Sequence, residues 1–335
     1  MTRWSRGLHT VAFASFVTVL ALPALPGAQA PTAPAPAASE YVAAQKTLPW
    51  AFPLAAPGQV REDNGRVQTL PGAARGFTVP EINDPFAPPD WYPAEHPPMP
   101  PIVATGRRPA VRACGQCHMT HGQGHPESSG LAALPAAYIL QQMQEFRDVS
   151  RKNSAIMTVI AKEMTEAELK ASADYFASLK MQKWTRIVEA DTVPKTYVGP
   201  GNMRFVDVKA PGTEPIAGRI IELPENAEHA ELRDPHSSFM AYVPPGSIKR
   251  GQQLVETGAN GRTVRCTLCH GASLRGMGPV PSLAARSPIY VVRQLYSFQH
   301  GLRNGMWTDL MRDAVAKLTV DDMVAIAAYT ASREP

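Results

Sequence analysis

Two strings in the sequence pair cysteines with a histidine at one spacing: Cys114-Gly-Gln-Cys117-His118 and Cys266-Thr-Leu-Cys269-His270. Two thiols in a C-x-x-C arrangement can add across the two vinyl groups of one porphyrin. The histidine beside the second thiol then lies under the iron as its proximal ligand. The strings use every cysteine of the chain, so no disulfide can form beside them. A four-cysteine zinc site needs no histidine after each pair, and a lone redox motif would account for one string, not two. The spacing predicts two covalently attached c-type haems, held by thioethers at Cys114, Cys117, Cys266 and Cys269, with iron on His118 and His270.

A haem needs a pocket, so each string should sit in a domain of its own. The two halves superpose in sequence at an offset of 152: Gly124 meets Gly276, Leu131 meets Leu283, Tyr138 meets Tyr290, Gln142 meets Gln294 and Phe146 meets Phe298. Two residues are then inserted and the offset becomes 154, with Met157 on Met311, Thr165 on Thr319 and Tyr175 on Tyr329. A unit present twice is the signature of tandem domains. Each unit reads as helices joined by loops. In the first, helices are expected over Pro135 to Val149 and Thr165 to Leu179, the latter opened by a Thr165-x-x-Glu168 capping box. In the second, they are expected near Ile248 to Thr257, after Ser287-Pro288, and after Thr319 with Asp321 and Asp322 in the first turn.

Iron held by one histidine is either open for chemistry or closed by a second ligand, and methionine opposite histidine makes an electron-transfer site of raised potential. Met157 and Met311 stand at matched positions, each eight residues before the N-cap threonine of the last helix. They are the expected axial ligands. Met306 is the rival of Met311, because it falls in the stretch that holds the insertion, whereas Met164 aligns with Leu318 and reads as core. His121, His125 and His300 do not recur at their partner positions, so they are expected to be exposed polar residues or groups near a propionate.

These residues together resemble class I cytochrome c domains, and the tandem resembles the dihaem cytochrome c4 family. The likeness rests on Cys114 to His118, Tyr138 to Phe146, Arg151-Lys-Asn, Met157 and Tyr175-Phe-Ala-Ser178, and on Cys266 to His270, Tyr290 to Phe298, Met311 and Ala327 to Ser332. It covers roughly residues 100–181 and 246–333. The resemblance implies that the proximal histidine donates to a proline carbonyl downstream. Pro281 fits that role in the second unit, while the first has Ser129 at the matching position, a departure expected to make the two potentials differ.

The fold class expected is therefore mainly α: two tandem cytochrome c-like helical domains, residues 99–183 and 245–335, joined by a small β-rich insert. That insert, residues 184–244, alternates apolar and polar residues in short runs such as Arg186-Ile-Val-Glu and Phe239-Met-Ala-Tyr-Val243, suggesting a small antiparallel sheet. Residues 31–98 form a proline-rich extension, and residues 31–110 hold 17 of the chain's 33 prolines, so extended chain is expected there. At the front, Arg3 and Arg6 precede an apolar run from Val11 to Leu25 and the small residues Ala28-Gln29-Ala30. That outlines a signal peptide cleaved near Ala30 and a periplasmic protein. Pro23 and Pro26 keep the run short of the ~20 residues a spanning helix needs.

Loss of the leader removes two arginines and takes the net charge from +4 to +2. Haem propionates bring it near neutral, which offers no surface for nucleic acid but leaves peripheral membrane association open. Two closed haems read as an electron carrier, not an enzyme. It would pass single electrons between a donor dehydrogenase or quinol-oxidising complex and a terminal oxidase or reductase. The alternatives are a dihaem peroxidase-like enzyme with one open haem, or a cytochrome subunit bound to a periplasmic dehydrogenase. A thiosulfate-oxidising haem enzyme with a cysteine ligand would need a fifth cysteine.

Overall fold

The computed structural model describes Met1 and residues 36–56, 59 and 61–335; the expected leader and its cleavage point lie outside the described residues. The extension is folded rather than extended. Pro36–Thr47 forms helix α1, with the proline in the first turn, where its missing N–H costs nothing. Ala44 and Leu48, one helical turn apart, are buried, and Trp50, Ala51 and Phe52 follow them into the core of the C-terminal half. Phe52 meets Tyr296 edge-on at 5.7 Å. Further along, Val79–Asn83 forms α2, closed by a capping box between Thr78 and Glu81, and Pro101–Ala104 forms α3. Leu70, Phe77, Ile82, Trp91 and Tyr92 make a separate cluster that takes in Leu232 from the insert.

The first cysteine string forms the short helix α4 (Cys114–His118). Ala136–Arg147, Ala155–Glu163 and Glu166–Ser178 form α5, α6 and α7. The Thr165 box opens α7, with Thr165 accepting from the Glu168 N–H and Glu168 accepting from the Thr165 N–H. Helices α5, α6 and α7 pack around Val103, Val111, Ile139, Phe146, Ala173 and Phe176.

The insert holds β1 (Thr185–Glu189), β2 (Thr192–Pro194), β3 (Thr196–Val198), β4 (Arg204–Val206), β5 (Thr213–Pro215), β6 (Ile221–Pro224), helix α8 (Ala227–Glu231) and β7 (Phe239–Val243). The sheet is mixed, not antiparallel throughout. Its order is β1-β7-β6, with β1 parallel to β7 in the register Thr185↔Phe239 and β6 antiparallel to β7 in the register Ile221↔Tyr242. Residues 190–238 intervene between β1 and β7, long enough for the crossover that parallel pairing requires. Within that crossover the short strands pair locally, β2 with β5 and β3 with β4, both antiparallel.

The second half follows with α9 (Ser247–Thr257), α10 (Thr267–His270), α11 (Pro288–Gln299), α12 (Thr308–Val315) and α13 (Val320–Ser332). Helix α9 lies directly on α13 at Gly251, where a Cβ would come within 2.0 Å of the Ala325 carbonyl oxygen. Ser287 caps α11 and Thr319 caps α13. Glu222 of β6 accepts from Thr185 and from Ser287, tying the sheet to the start of α11. Among the described residues no helix is long and apolar enough to cross a membrane.

Candidate functional site

Each cysteine string is a single turn of helix followed by a loop that folds back beneath it. The loops match bond for bond. Gly124 N–H donates to the His118 carbonyl as Gly276 N–H does to His270, and Leu131 to Gly122 as Leu283 to Leu274. Gly124 and Gly276 both have positive φ, and a Cβ on either would press against carbonyl oxygens, of Ser129 at 2.8 Å and of Val280 at 2.5 Å. Glycine is what lets this turn close.

The fold-back brings a carbonyl to each histidine. His118 Nδ1 lies 2.7 Å from the Ser129 carbonyl oxygen, and His270 Nδ1 lies 2.8 Å from that of Pro281. A carbonyl only accepts, so Nδ1 carries the proton and Nε2 keeps its lone pair for a metal. Burial lowers the pKa of both imidazoles, against the opposing effect of these hydrogen bonds, which keeps the rings neutral. The serine that stands in for proline in the first unit therefore supplies the same acceptor, because the acceptor is main chain. Burial pushes the Cys114 thiol up to about 12 and the Cys266 thiol up to about 11. None of the four cysteines is joined in a disulfide.

Two cavities open on these groups. The first, of about 620 Å³, is lined by Cys114, Cys117 and His118 and also by Met157 and Met164. The second, of about 410 Å³, is lined by Cys266, Cys269 and His270 and by both Met306 and Met311. Met157 lies in the first turn of α6 and Met311 on α12. Met311 is half-buried against the second core, whereas Met306 is 67 % exposed. Met164 is core, as its alignment suggests, although it also touches the first cavity.

The cavities share a wall. Ser129, Leu134, Tyr138, Gln142, Tyr290 and Gln294 line both. Behind that wall Arg151 donates to Gln142 at 2.7 Å and to Gln294 at 3.2 Å, and Arg303 donates to the same two oxygens at 2.5 and 3.2 Å. Arg286 reaches across the halves to the Gly130 and Ala132 carbonyls, and Arg293 to that of Pro126. All four arginines are buried. Burial pulls the Arg286 pKa down to about 10. For Tyr290 burial raises the pKa, but the neighbouring Arg151 and Arg303 outweigh it and the net shift is downward.

The fit to haem can be tested on these residues. Each cavity has thiols and a neutral imidazole on one wall and a thioether on another, within the size range of a small-molecule pocket. Arg303 lines the second cavity and its Nε is buried without a partner. A propionate would satisfy that donor. The arginine wall was not read from the sequence, although a signal was there, since Arg151 and Arg303 also lie 152 residues apart.

The histidines outside the strings need a correction. His125 is buried, not exposed, with its ring 5.7 Å from Phe239 and Nδ1 3.3 Å from Glu127. His121 is half-buried, but both its ring nitrogens are shut away without partners, and Trp184 of the insert meets it edge-on at 4.9 Å. Neither lines a cavity; His300 is exposed and stacks on Tyr296. Among the described residues no group of three or more His, Cys, Asp or Glu side chains is arranged to hold a bare metal ion.

No protein-family model matches the chain. It is 24% identical over 229 residues to a thiosulfate dehydrogenase electron acceptor of Thiomonas intermedia, covering 67% of this chain and 80% of that one. It is 26% identical over 231 residues to a protein of the same description from Stutzerimonas stutzeri, covering 68% and 82%. Cytochrome c-554(548) of Halomonas halodenitrificans is 33% identical over 70 residues, which are 21% of this chain and 84% of that protein. Among solved structures, thiosulfate dehydrogenase from Marichromatium purpuratum is similar with a TM-score of 0.44 and 24% identity over 67% of this chain, which spans only 37% of that one. Reduced cytochrome c4 from Pseudomonas stutzeri gives 0.45 and 22%, over 66% and 93%.

Proposed function

The chain belongs to the c-type cytochromes, and from that premise we propose that it is a periplasmic dihaem carrier that takes single electrons from a thiosulfate dehydrogenase and passes them to a terminal oxidase or reductase. Residues 99–183 and 245–335 are its two haem domains. Cys114 and Cys117 anchor one haem and Cys266 and Cys269 the other. His118 and Met157 close the first iron, and His270 and Met311 close the second. When bound, each haem supplies one reversible one-electron couple at its iron.

The protein's residues do the rest. The Ser129 and Pro281 carbonyls fix the Nδ1–H tautomer and leave Nε2 free to ligate. The apolar walls exclude water, and Arg151 and Arg303 place positive charge at the wall between the cavities. The observation that supports the reading is that wall: two cavities of one kind share six lining residues, so cofactors held in both would lie within reach of electron exchange. Met311 is preferred to Met306 because it is held against the core by a helix, whereas Met306, which also lines the cavity, lies outside that helix and is mostly exposed. The choice of donor is supported by the description of two relatives as electron acceptors of thiosulfate dehydrogenase.

Three measurements test the proposal. A pyridine haemochrome assay should count two haems per chain, and the oxidised spectrum should carry the weak red band of methionine ligation. Met157→Ala and Met311→Ala should each remove half of that band and open one reduced haem to carbon monoxide, while Met306→Ala should do neither. Thiosulfate with a purified thiosulfate dehydrogenase should reduce both haems. Rapid carbon monoxide binding to the unmodified protein would sink the closed-haem reading.

A further inference from the structure

The two attachment strings are alike in geometry and opposite in surroundings. In the first unit the string and its loop lie under the extension and the insert. A Cβ at Gly115 would meet the Val103 carbonyl oxygen at 3.1 Å and Pro88 at 3.3 Å. Gln116 is buried; its side-chain amide donates to the Ile82 carbonyl at 3.3 Å and its main-chain carbonyl accepts from Arg233. Gln123 and His125 are buried as well, and Trp184 donates to the Gly124 carbonyl at 2.9 Å. The two covering segments are joined to one another: Trp91 donates to the Leu232 carbonyl at 2.8 Å, and Tyr92 lies over His236 at 4.1 Å.

At the matched positions of the second unit, none of the described residues buries the string's outer side chains. Leu268 stands where Gln116 does and is 53 % exposed; Met277 stands where His125 does and is 52 % exposed. Arg275, the counterpart of Gln123, and the nearby Arg265 are exposed, and neither makes an ion pair among the described residues. Leu268, Arg275 and Met277 do not line the second cavity, so their exposure is a property of the outer face, whereas Arg265 is exposed and also lines the cavity, at the border of that face.

Resting on the carrier reading above, we propose that the protein exchanges electrons through one face only. That face is the Leu268–Met277 surface of the second unit, and its occupant is a redox protein that presents an apolar contact ringed by carboxylates. Exposed apolar side chains flanked by charge of one sign mark a docking surface. Two unpaired guanidiniums favour an acidic partner and steer its approach. The covered face of the first unit offers a partner no comparable contact, so the first haem trades electrons with the outside through the second. A haem held by Cys266, Cys269 and His270 would supply a one-electron couple at this face, and one electron would pass from it to the partner's oxidised centre. No proton or atom moves with it.

Oxidised plastocyanin, an acidic blue-copper protein, serves as the probe. Its Cu(II) accepts one electron to become Cu(I), and stopped-flow absorbance follows oxidation of the fully reduced, haem-loaded protein. Arg265→Glu with Arg275→Glu should slow the second-order rate about tenfold at low ionic strength, the gap closing in high salt. Leu268→Ser with Met277→Ser should slow it several-fold at both. Lys46→Glu with Lys209→Glu, the same charge change at exposed sites elsewhere, should stay within twofold. Equal slowing by the Lys46/Lys209 pair, or none by the arginine pair, would overturn the proposal. So would a dimer in sedimentation velocity that Leu268→Ser with Met277→Ser abolishes, since the face would then seat a second copy of the chain. An unmodified protein that binds carbon monoxide rapidly points instead to failure of the carrier reading, since that assay does not involve this face.

Discussion

His121 is a half-buried base whose two ring nitrogens are shut away with nothing to bond. Burial first, and then the nearby His125, His236 and His96, pull its pKa down to about 3, against an ordinary value near 6.5. Between those two values the unfolded chain binds a proton that the folded chain refuses, so stability is complete above about pH 6.5 and falls as pH drops through the window. By pH 4.5 the loss is on the order of 3 kcal/mol, at 1.36 kcal/mol per pH unit. His121→Leu should remove that part of the slope: in urea unfolding at pH 7 and pH 4.5, the variant should lose about 3 kcal/mol less than the parent on acidification. Equal losses would mean that other groups carry the acid sensitivity. The burial of His121 and His125 was illegible in the sequence for a physical reason, since the groups that enclose them, Trp184 and Phe239, come from the insert more than fifty residues downstream. The proximal histidines were legible because their chemistry is local: histidine, turn and carbonyl lie within eleven residues of one another.

Helices announced themselves where their end signals are local. Thr165 with Glu168 and Thr319 with Asp322 close capping boxes within four residues, and both open helices where the sequence placed them. Helix α1 did not, because proline suggested extended chain while the burial of Ala44 and Leu48 depends on a core formed far along the chain. The parallel pairing of β1 with β7 was hidden likewise, since alternation of side chains marks a strand without naming its neighbour. Gly251 belongs with these long-range effects. In the sequence it is an unfavourable residue inside α9, yet a side chain there would meet the Ala325 carbonyl oxygen at 2.0 Å, an oxygen held rigid within α13. Gly251→Ala should therefore destabilise the protein by about 1–3 kcal/mol, as over-packing does, despite alanine's better helix propensity. Thermal unfolding followed at the Soret band checks the sign, and a raised midpoint would show that α9 can slide on α13 at no cost.

At the scale of the molecule, four buried arginines stand between two cavities, and their charge is a lever on redox potential. Arg303 lines the second cavity and Arg151 the first, while each also bonds a glutamine on the other half's helix. A fixed positive charge favours whichever cofactor state holds the additional electron. At roughly 10 Å and an effective dielectric constant near 20, one such charge is worth about 1–2 kcal/mol, on the order of 40–80 mV for a one-electron couple. Arg303→Gln should accordingly lower the midpoint potential of the second haem by tens of millivolts and the first by less, and Arg151→Gln should do the reverse. Glutamine keeps a donor for the shared Gln142 and Gln294 oxygens, which limits the structural damage. Because both arginines hold the same two oxygens, the double variant should depart from the sum of the singles. Potentiometric titration, with methionine substitution to assign each step, reads all three. Potentials that stay fixed would mean that solvent, not the arginine wall, sets the charge each haem feels, and the wall would then hold the halves together without tuning what passes between them.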